Sequence, residues 1–235
     1  MLAWEPDKGS HFGVIPRDGS VDDVQWFNMD ARFMFHMMNA WTDGSKLHAD
    51  VTGSNATQFA LKLDGTQADE SDGTNPTFRR WTIDLADNTN NISEELLDDM
   101  ACEFPRTDDR WGTKAYRHGY AVGSSGGLSS FNKLIHYDTT SGQRKTYDLG
   151  ENYMVGEAVF APRVGGTDEA DGYMIMLAYN QPTDKSELMV FEAAAIDEGP
   201  VATAKVPARI PAGFTAVGSR HNRRSDLDRR GTALY

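Results

Sequence analysis

Three features of the sequence predict an all-β fold built of antiparallel sheets. Short runs of aliphatic, aromatic and β-branched residues recur along almost the whole chain, loops containing glycine or proline separate them, and only one segment carries a helical pattern. The 22 glycines and 9 prolines suit a chain with many turns. A strand–loop–strand unit repeated at tens of residues reads either as the blades of a propeller or as a β-sandwich, and the pattern alone leaves both open.

Taken in order, strands are expected over residues 32–41, 46–51, 78–85 and 116–122. A hairpin follows, with strands at 134–138 and 144–149 around the turn-forming run 139–143, which contains Gly142. Residues 172–179 are long and apolar enough for an inner strand with both faces buried, and 187–191 leads through Gly199 and Pro200 into a last strand over 201–206. Residues 93–100 form the one expected helical turn, opened by Ser93 with Glu94 and Glu95 behind it. Gly123-Ser124-Ser125-Gly126-Gly127 reads as a loop, because no lysine accompanies the glycines and no helix follows them. The stretches 65–75 and 218–235 are too polar for a core. The second is also basic, since residues 220–235 hold five of the fifteen arginines.

Composition excludes several classes of function. The chain has 235 residues, enough for one large domain or two small ones, and 39% of them are hydrophobic, enough to bury a core. With 23 Lys and Arg against 35 Asp and Glu the net charge is −12, a field that repels a nucleic-acid backbone. A single cysteine, Cys102, rules out a disulfide framework. The apolar runs are too short for a transmembrane helix, and residues 1–8 lack the basic and apolar regions of a signal peptide, so a cytoplasmic protein is expected.

No HExxH, CxxC, GxSxG, P-loop or GxGxxG motif is present. Of the six histidines, His36 has the most telling setting, in Phe33-Met34-Phe35-His36-Met37-Met38-Asn39-Ala40-Trp41, a strand apolar on both faces. Such a residue is either a hydrogen-bonded core histidine or a metal ligand, because neutral imidazole suits iron, copper or zinc. A ligand would need a carboxylate behind its far ring nitrogen. Glu103 and Glu157 lie in apolar, strand-like surroundings where an unpaired carboxylate is costly, so each is expected to face a cation or a polarised histidine.

Several ordered segments are similar to the carotenoid cleavage oxygenase family. They are the run from Phe35 to Gly44, Glu103-Phe104-Pro105-Arg106-Thr107-Asp108, Tyr116-Arg117-His118-Gly119-Tyr120, the run from Gly156 to Arg163, and Asp171-Gly172-Tyr173 with Ser186-Glu187-Leu188. The run from Arg80 to Asp84, with Gly199-Pro200-Val201-Ala202-Thr203, resembles the bacterial lignostilbene dioxygenases within that family. The resemblance spans residues 10–214. It implies part of a seven-bladed β-propeller, about its C-terminal half. It also implies Fe(II) held by four histidines with three glutamates behind them, and O2 added across an interior carbon–carbon double bond to give two carbonyl products. A phenolic stilbene or an apocarotenoid, that is, a hydrophobic aromatic or polyene alkene, would be the substrate. By motif, His36 matches one iron histidine and Glu103 and Glu157 match two of the glutamates, while His118 falls at a position that is not a ligand.

Two departures accompany the resemblance. Two of the family's iron histidines and one glutamate belong upstream of the His36 motif, and His11 has the wrong surroundings to replace them. At the other end, the family's Phe/Leu-His-Gly-x-Trp motif is replaced by Phe214-Thr215-Ala216-Val217-Gly218-Ser219-Arg220. Deleting one C from TTC CAC GGC AGT TGG GTC CCG, which encodes Phe-His-Gly-Ser-Trp-Val-Pro, gives codons for that very run. Thr215 is therefore the expected position of a lost ligand, residues 1–214 the propeller part, and residues 215–235 a disordered tail read out of frame. With one iron histidine of four, the chain alone is expected to be inactive and to pair with a missing N-terminal half or a second copy. The alternative is a non-catalytic β-rich protein acting by binding or assembly.

Overall fold

The computed structural model describes residues 4–57, 73–87, 89–124 and 131–211. The expected tail from 215 onward, with Thr215, lies outside them, as does most of the polar stretch 65–75. What is described is all-β and antiparallel. A hairpin of β1 (Ser10–Val14) and β2 (Gln25–Met29) precedes three sheets. The first holds β3 (Phe33–Asp43), β4 (Lys46–Ser54), β5 (Thr77–Asp84) and β6 (Ile92–Asp98), the second β7 (Cys102–Thr107), β8 (His118–Ser124), β9 (Phe131–Asp138) and β10 (Gln143–Asp148). In the third, β11 (Tyr153–Val155) and β12 (Val159–Pro162) share one edge of β13 (Gly172–Asn180), followed by β14 (Lys185–Glu192) and β15 (Pro200–Lys205).

In the first two sheets every strand pairs with the next in sequence, and in the third β13, β14 and β15 do the same. The second sheet links the other two: β3 of the first sheet lies against its β7, which also meets β12 of the third, and β11 lies against its β9. Successive antiparallel meanders, each packed on the next, have the blade arrangement of a propeller rather than of a sandwich.

The middle sheet explains why its strands are apolar without alternation. Tyr120, Val122 and Leu134 point into a core shared with Met174, Met176 and Phe191 of the third sheet. The intervening Ala121, Ile135 and Tyr137 point the other way, against Met38, Phe78 and Cys102 of the first and second sheets. Successive side chains of a strand alternate faces, so a sheet covered on both faces must be apolar at every position. A third core, with Phe27, Val51 and Trp81, packs the β1–β2 hairpin onto the first sheet.

Two expectations are corrected. Residues 93–100 are not helical: Ile92–Asp98 is the outer strand β6 of the first sheet, its Ser93 opposite Thr82 and its Glu94 opposite Trp81. Ile92 enters the core, and Glu94 accepts from the Trp81 indole and the Arg32 and Arg79 guanidinium groups. Those tertiary partners outweigh the local capping pattern. Gly123 and Ser124 are not loop but the buried end of β8, where a Cβ on Gly123 would come within 2.6 Å of the Ile135 side chain. The expected inner strand 172–179 is found as β13, flanked on both sides; Met174, Met176 and Ala178 are fully buried and their neighbours half-buried. The hairpin around 139–143 is also present, with Gly142 at φ 69°.

His118 and His136 meet between the second and third sheets, Nδ1 to Nε2 at 2.9 Å. Tyr120 stacks on His136. Burial lowers the His136 pKa from 6.5 to about 4. Folding therefore favours the neutral ring, a contribution complete above pH 6.5 and lost as the pH falls through 6.5 towards 4. That loss is expected to be about 3 kcal/mol by linkage. Urea unfolding of the parent and of His136→Phe at pH 7 and pH 4 checks it, the variant losing correspondingly less. Cys102 is buried and its thiol is pushed up to about 12, first by desolvation. It is expected to resist iodoacetamide at pH 8 in the native chain and to react fully in urea, as peptide mass spectrometry would show.

Candidate metal-site residues

Of the sequence-predicted site residues, His36 and Glu103 lie where the first strand of a sheet departs from regular pairing, and Glu157 lies between two strands. In β3, the ladder with β4 shifts between Met34 and His36 and again between Met37 and Asn39. In β7, it shifts between Glu103 and Arg106, where Phe104 adopts φ 52° and Pro105 needs no ladder donor. Glu157 falls in the gap between β11 and β12, whose pairings to β13 end at Val155 and resume at Val159. Bulges and breaks of this kind re-aim side chains that regular pleating would send to the two faces in turn.

Across the junction of β3 and β7, His36 Nδ1 lies 2.6 Å from Glu103 Oε2. The Glu103 carboxylate is 3% exposed and holds two further donors, the Thr52 hydroxyl at 2.9 Å and the backbone N–H of Phe104 at 2.6 Å. Thr52 stands opposite His36 on β4 and is itself buried. Phe104 turns its N–H onto the carboxylate only because of its left-handed backbone, a conformation that costs a non-glycine residue about 1–3 kcal/mol. Its ring lies 5.4 Å from the His36 ring, and Phe35 meets that ring edge-on at 4.6 Å. A carboxylate acceptor at Nδ1 makes Nδ1 the protonated nitrogen and leaves the lone pair on Nε2, the atom that can coordinate a metal.

The expectation of a buried imidazole is corrected. The His36 side chain is 28% exposed, and its neighbours Phe35 and Met37 are 44% and 45% exposed. Elsewhere β3 packs through Met38 into one core and through Met34 and Ala40 against another, so the exposure is local to residues 35–37 between the two register shifts.

Glu157 has a different partner. Its side chain is 7% exposed and ion-paired with Arg106 at 2.7 Å. Of the other histidines, His48 bonds to Thr82 and His11 to Asn28 and the Lys8 carbonyl. Among the described residues no three His, Cys, Asp or Glu side chains converge to hold a metal ion. The structure thus brings His36 and Glu103 together and leaves Glu157 apart. Thr52 and the turned backbone of Phe104 have no mark in the sequence, where the expected strand ends at Val51.

The profile of the retinal pigment epithelial membrane protein family matches residues 1–216. The chain belongs to this family. Its relatives include proteins named carotenoid and lignostilbene cleavage enzymes, as the resemblance implied. A lignostilbene-alpha,beta-dioxygenase isozyme of Sphingomonas paucimobilis is 34% identical over 86% of this chain and 44% of its own length. An isoeugenol monooxygenase of Pseudomonas nitroreducens is 30% identical over 90% of this chain and 46% of its own. Among solved structures, the lignostilbene dioxygenase of Pseudomonas brassicacearum superposes with a TM-score of 0.84 at 28% identity, covering 90% of this chain and 47% of that one. A cobalt-substituted apocarotenoid oxygenase of Synechocystis gives 0.80 at 27% identity, covering 89% and 44%. The chain therefore spans less than half the length of these relatives. Among the described residues no helix is long and apolar enough to cross a membrane.

Removing the Glu103 carboxylate is expected to undo both the tautomer and part of the packing. In Glu103→Ala, long-range proton–nitrogen correlation spectra should show the His36 proton moving from Nδ1 towards Nε2, the form preferred by a free imidazole. Denaturant unfolding should show a loss of about 1–3 kcal/mol, since the Thr52 hydroxyl and Phe104 N–H lose their acceptor.

Proposed function

We propose that this chain is part of an Fe(II)-dependent dioxygenase that cleaves an interior carbon–carbon double bond of a phenolic stilbene or an apocarotenoid with O2, giving two carbonyl products. The His36–Glu103 contact carries this reading, because a carboxylate fixing the far nitrogen of an imidazole is the usual support of a metal-ligating histidine. His36 would hold the iron through Nε2, and Glu103 would fix the tautomer and orientation of the ring. Glu157, ion-paired with Arg106, would stand behind a second ligand position. The chemistry that Fe(II) supplies when bound is activation of O2.

The residues present fit one corner of such a site and not a complete one. His36 is the one iron histidine that the motifs assign here, and the matching position near the other end is Thr215, outside the described residues. The family match ends at residue 216, which supports the view that residues 215–235 are read out of frame and that residues 1–214 carry the propeller part. Phe35 and Met37 beside His36 present apolar surface suited to a hydrophobic alkene or to the complementary half of the propeller. By itself the chain is inactive, because one imidazole does not hold Fe(II) against water.

Metal analysis of the purified 235-residue chain is expected to find iron far below one equivalent; stoichiometric iron would overturn the one-corner reading. Joined to the N-terminal half of the Pseudomonas brassicacearum enzyme, with the frame restored at Thr215, the chain should bind one iron and consume O2 with a phenolic stilbene. His36→Ala in that protein should abolish both. Full iron retention in that variant would remove His36 from the site.

A further inference from the structure

A cavity of about 560 Å³ opens between the β1–β2 hairpin and the end of the first sheet where β3 turns into β4. It is lined near Trp41, roughly 15 Å along β3 from His36. Its apolar wall includes Val14, Leu47 and Leu85, with Trp41 as the aromatic member. Arg17 is the charged side chain of this wall, and no carboxylate lines it. Arg17 forms no ion pair among the described residues, so a cation stands at the mouth of an apolar cavity in a chain of net charge −12.

The aromatic wall is held rigidly. The Arg80 guanidinium lies over the Trp41 ring at 4.9 Å and is itself fixed by two hydrogen bonds to the fully buried Asp50, at 2.7 and 2.8 Å. Tyr116 donates to the same carboxylate at 2.6 Å and meets Trp41 edge-on. An indole set in place by a buried ion pair pays little entropy when a ring packs on it. Apolar walls with one convergent charge are the usual make-up of a small-molecule site.

We infer that this cavity binds a small aromatic carboxylate, its ring against Trp41 and the apolar wall and its carboxylate paired with Arg17. The site is separate from His36 and does not depend on the oxygenase reading. Isothermal titration of the full chain with sodium benzoate tests it, with benzyl alcohol and benzylamine as uncharged and cationic counterparts. Benzoate is expected to bind saturably with a Kd of about 1 mM or tighter. Arg17→Gln, an exposed substitution that leaves the core intact, should weaken benzoate about tenfold and leave benzyl alcohol unchanged. His36→Ala should leave benzoate binding unaltered. Absence of saturable benzoate binding, indifference of benzoate to Arg17→Gln, benzylamine binding as tightly as benzoate, or loss of benzoate binding in His36→Ala would each overturn the proposal.

Discussion

The buried Glu103 carboxylate ties the candidate site to the fold. Burying an ionised carboxylate is tolerable only where donors surround it, and here they come from three strands: His36 of β3, Thr52 of β4 and the Phe104 N–H of β7. Because these strands belong to two sheets, the carboxylate fixes how the sheets meet as well as how the imidazole is turned. Strand bulge, left-handed phenylalanine and buried threonine all serve the same set of hydrogen bonds.

A second buried carboxylate does related work at the far end of β3. Asp50 is fully buried on β4 and is held by Arg80 from β5 and by Tyr116 from the loop before β8. Desolvation raises the Tyr116 hydroxyl well above its ordinary pKa, so it acts as a neutral donor to Asp50. Arg80 lies over Trp41, and Tyr116 packs against both Trp41 and Met38. The inner strand is thus pinned by a polar network towards each end, with core packing between. Such networks cost desolvation and specify one arrangement of the sheets in return.

Between these networks the middle sheet is the structural centre. With cores on both faces it encloses polar side chains as well as apolar ones. Several of its buried polar groups are engaged: His118 with His136 Nε2, Tyr120 donating to the Ala193 carbonyl, and Asp108 holding Arg110. The His36 side chain is less enclosed, beside the exposed rings and thioethers of Phe35 and Met37. That difference separates the pair His118 and His136, which stabilises sheet contacts, from His36.

Much of the architecture was legible from the order of residues. Glycine turns, short β-forming runs and the apolar character of residues 172–179 determined an antiparallel all-β chain, because strand pairing between sequence neighbours depends on local turns and period-two patterning. The pattern failed at residues 93–100, where a serine followed by two glutamates imitates a helix start. Glu94 is instead held by Arg32, Arg79 and Trp81, partners that a local reading cannot count. The motifs marked His36, Glu103 and Glu157 as candidates without saying which would meet. Only the tertiary structure decided that Glu103 joins His36 across 67 positions while Glu157 pairs with Arg106. Which side chains converge depends on where the ladders slip and on how the first strands of neighbouring sheets lie together, and neither is encoded within any single strand.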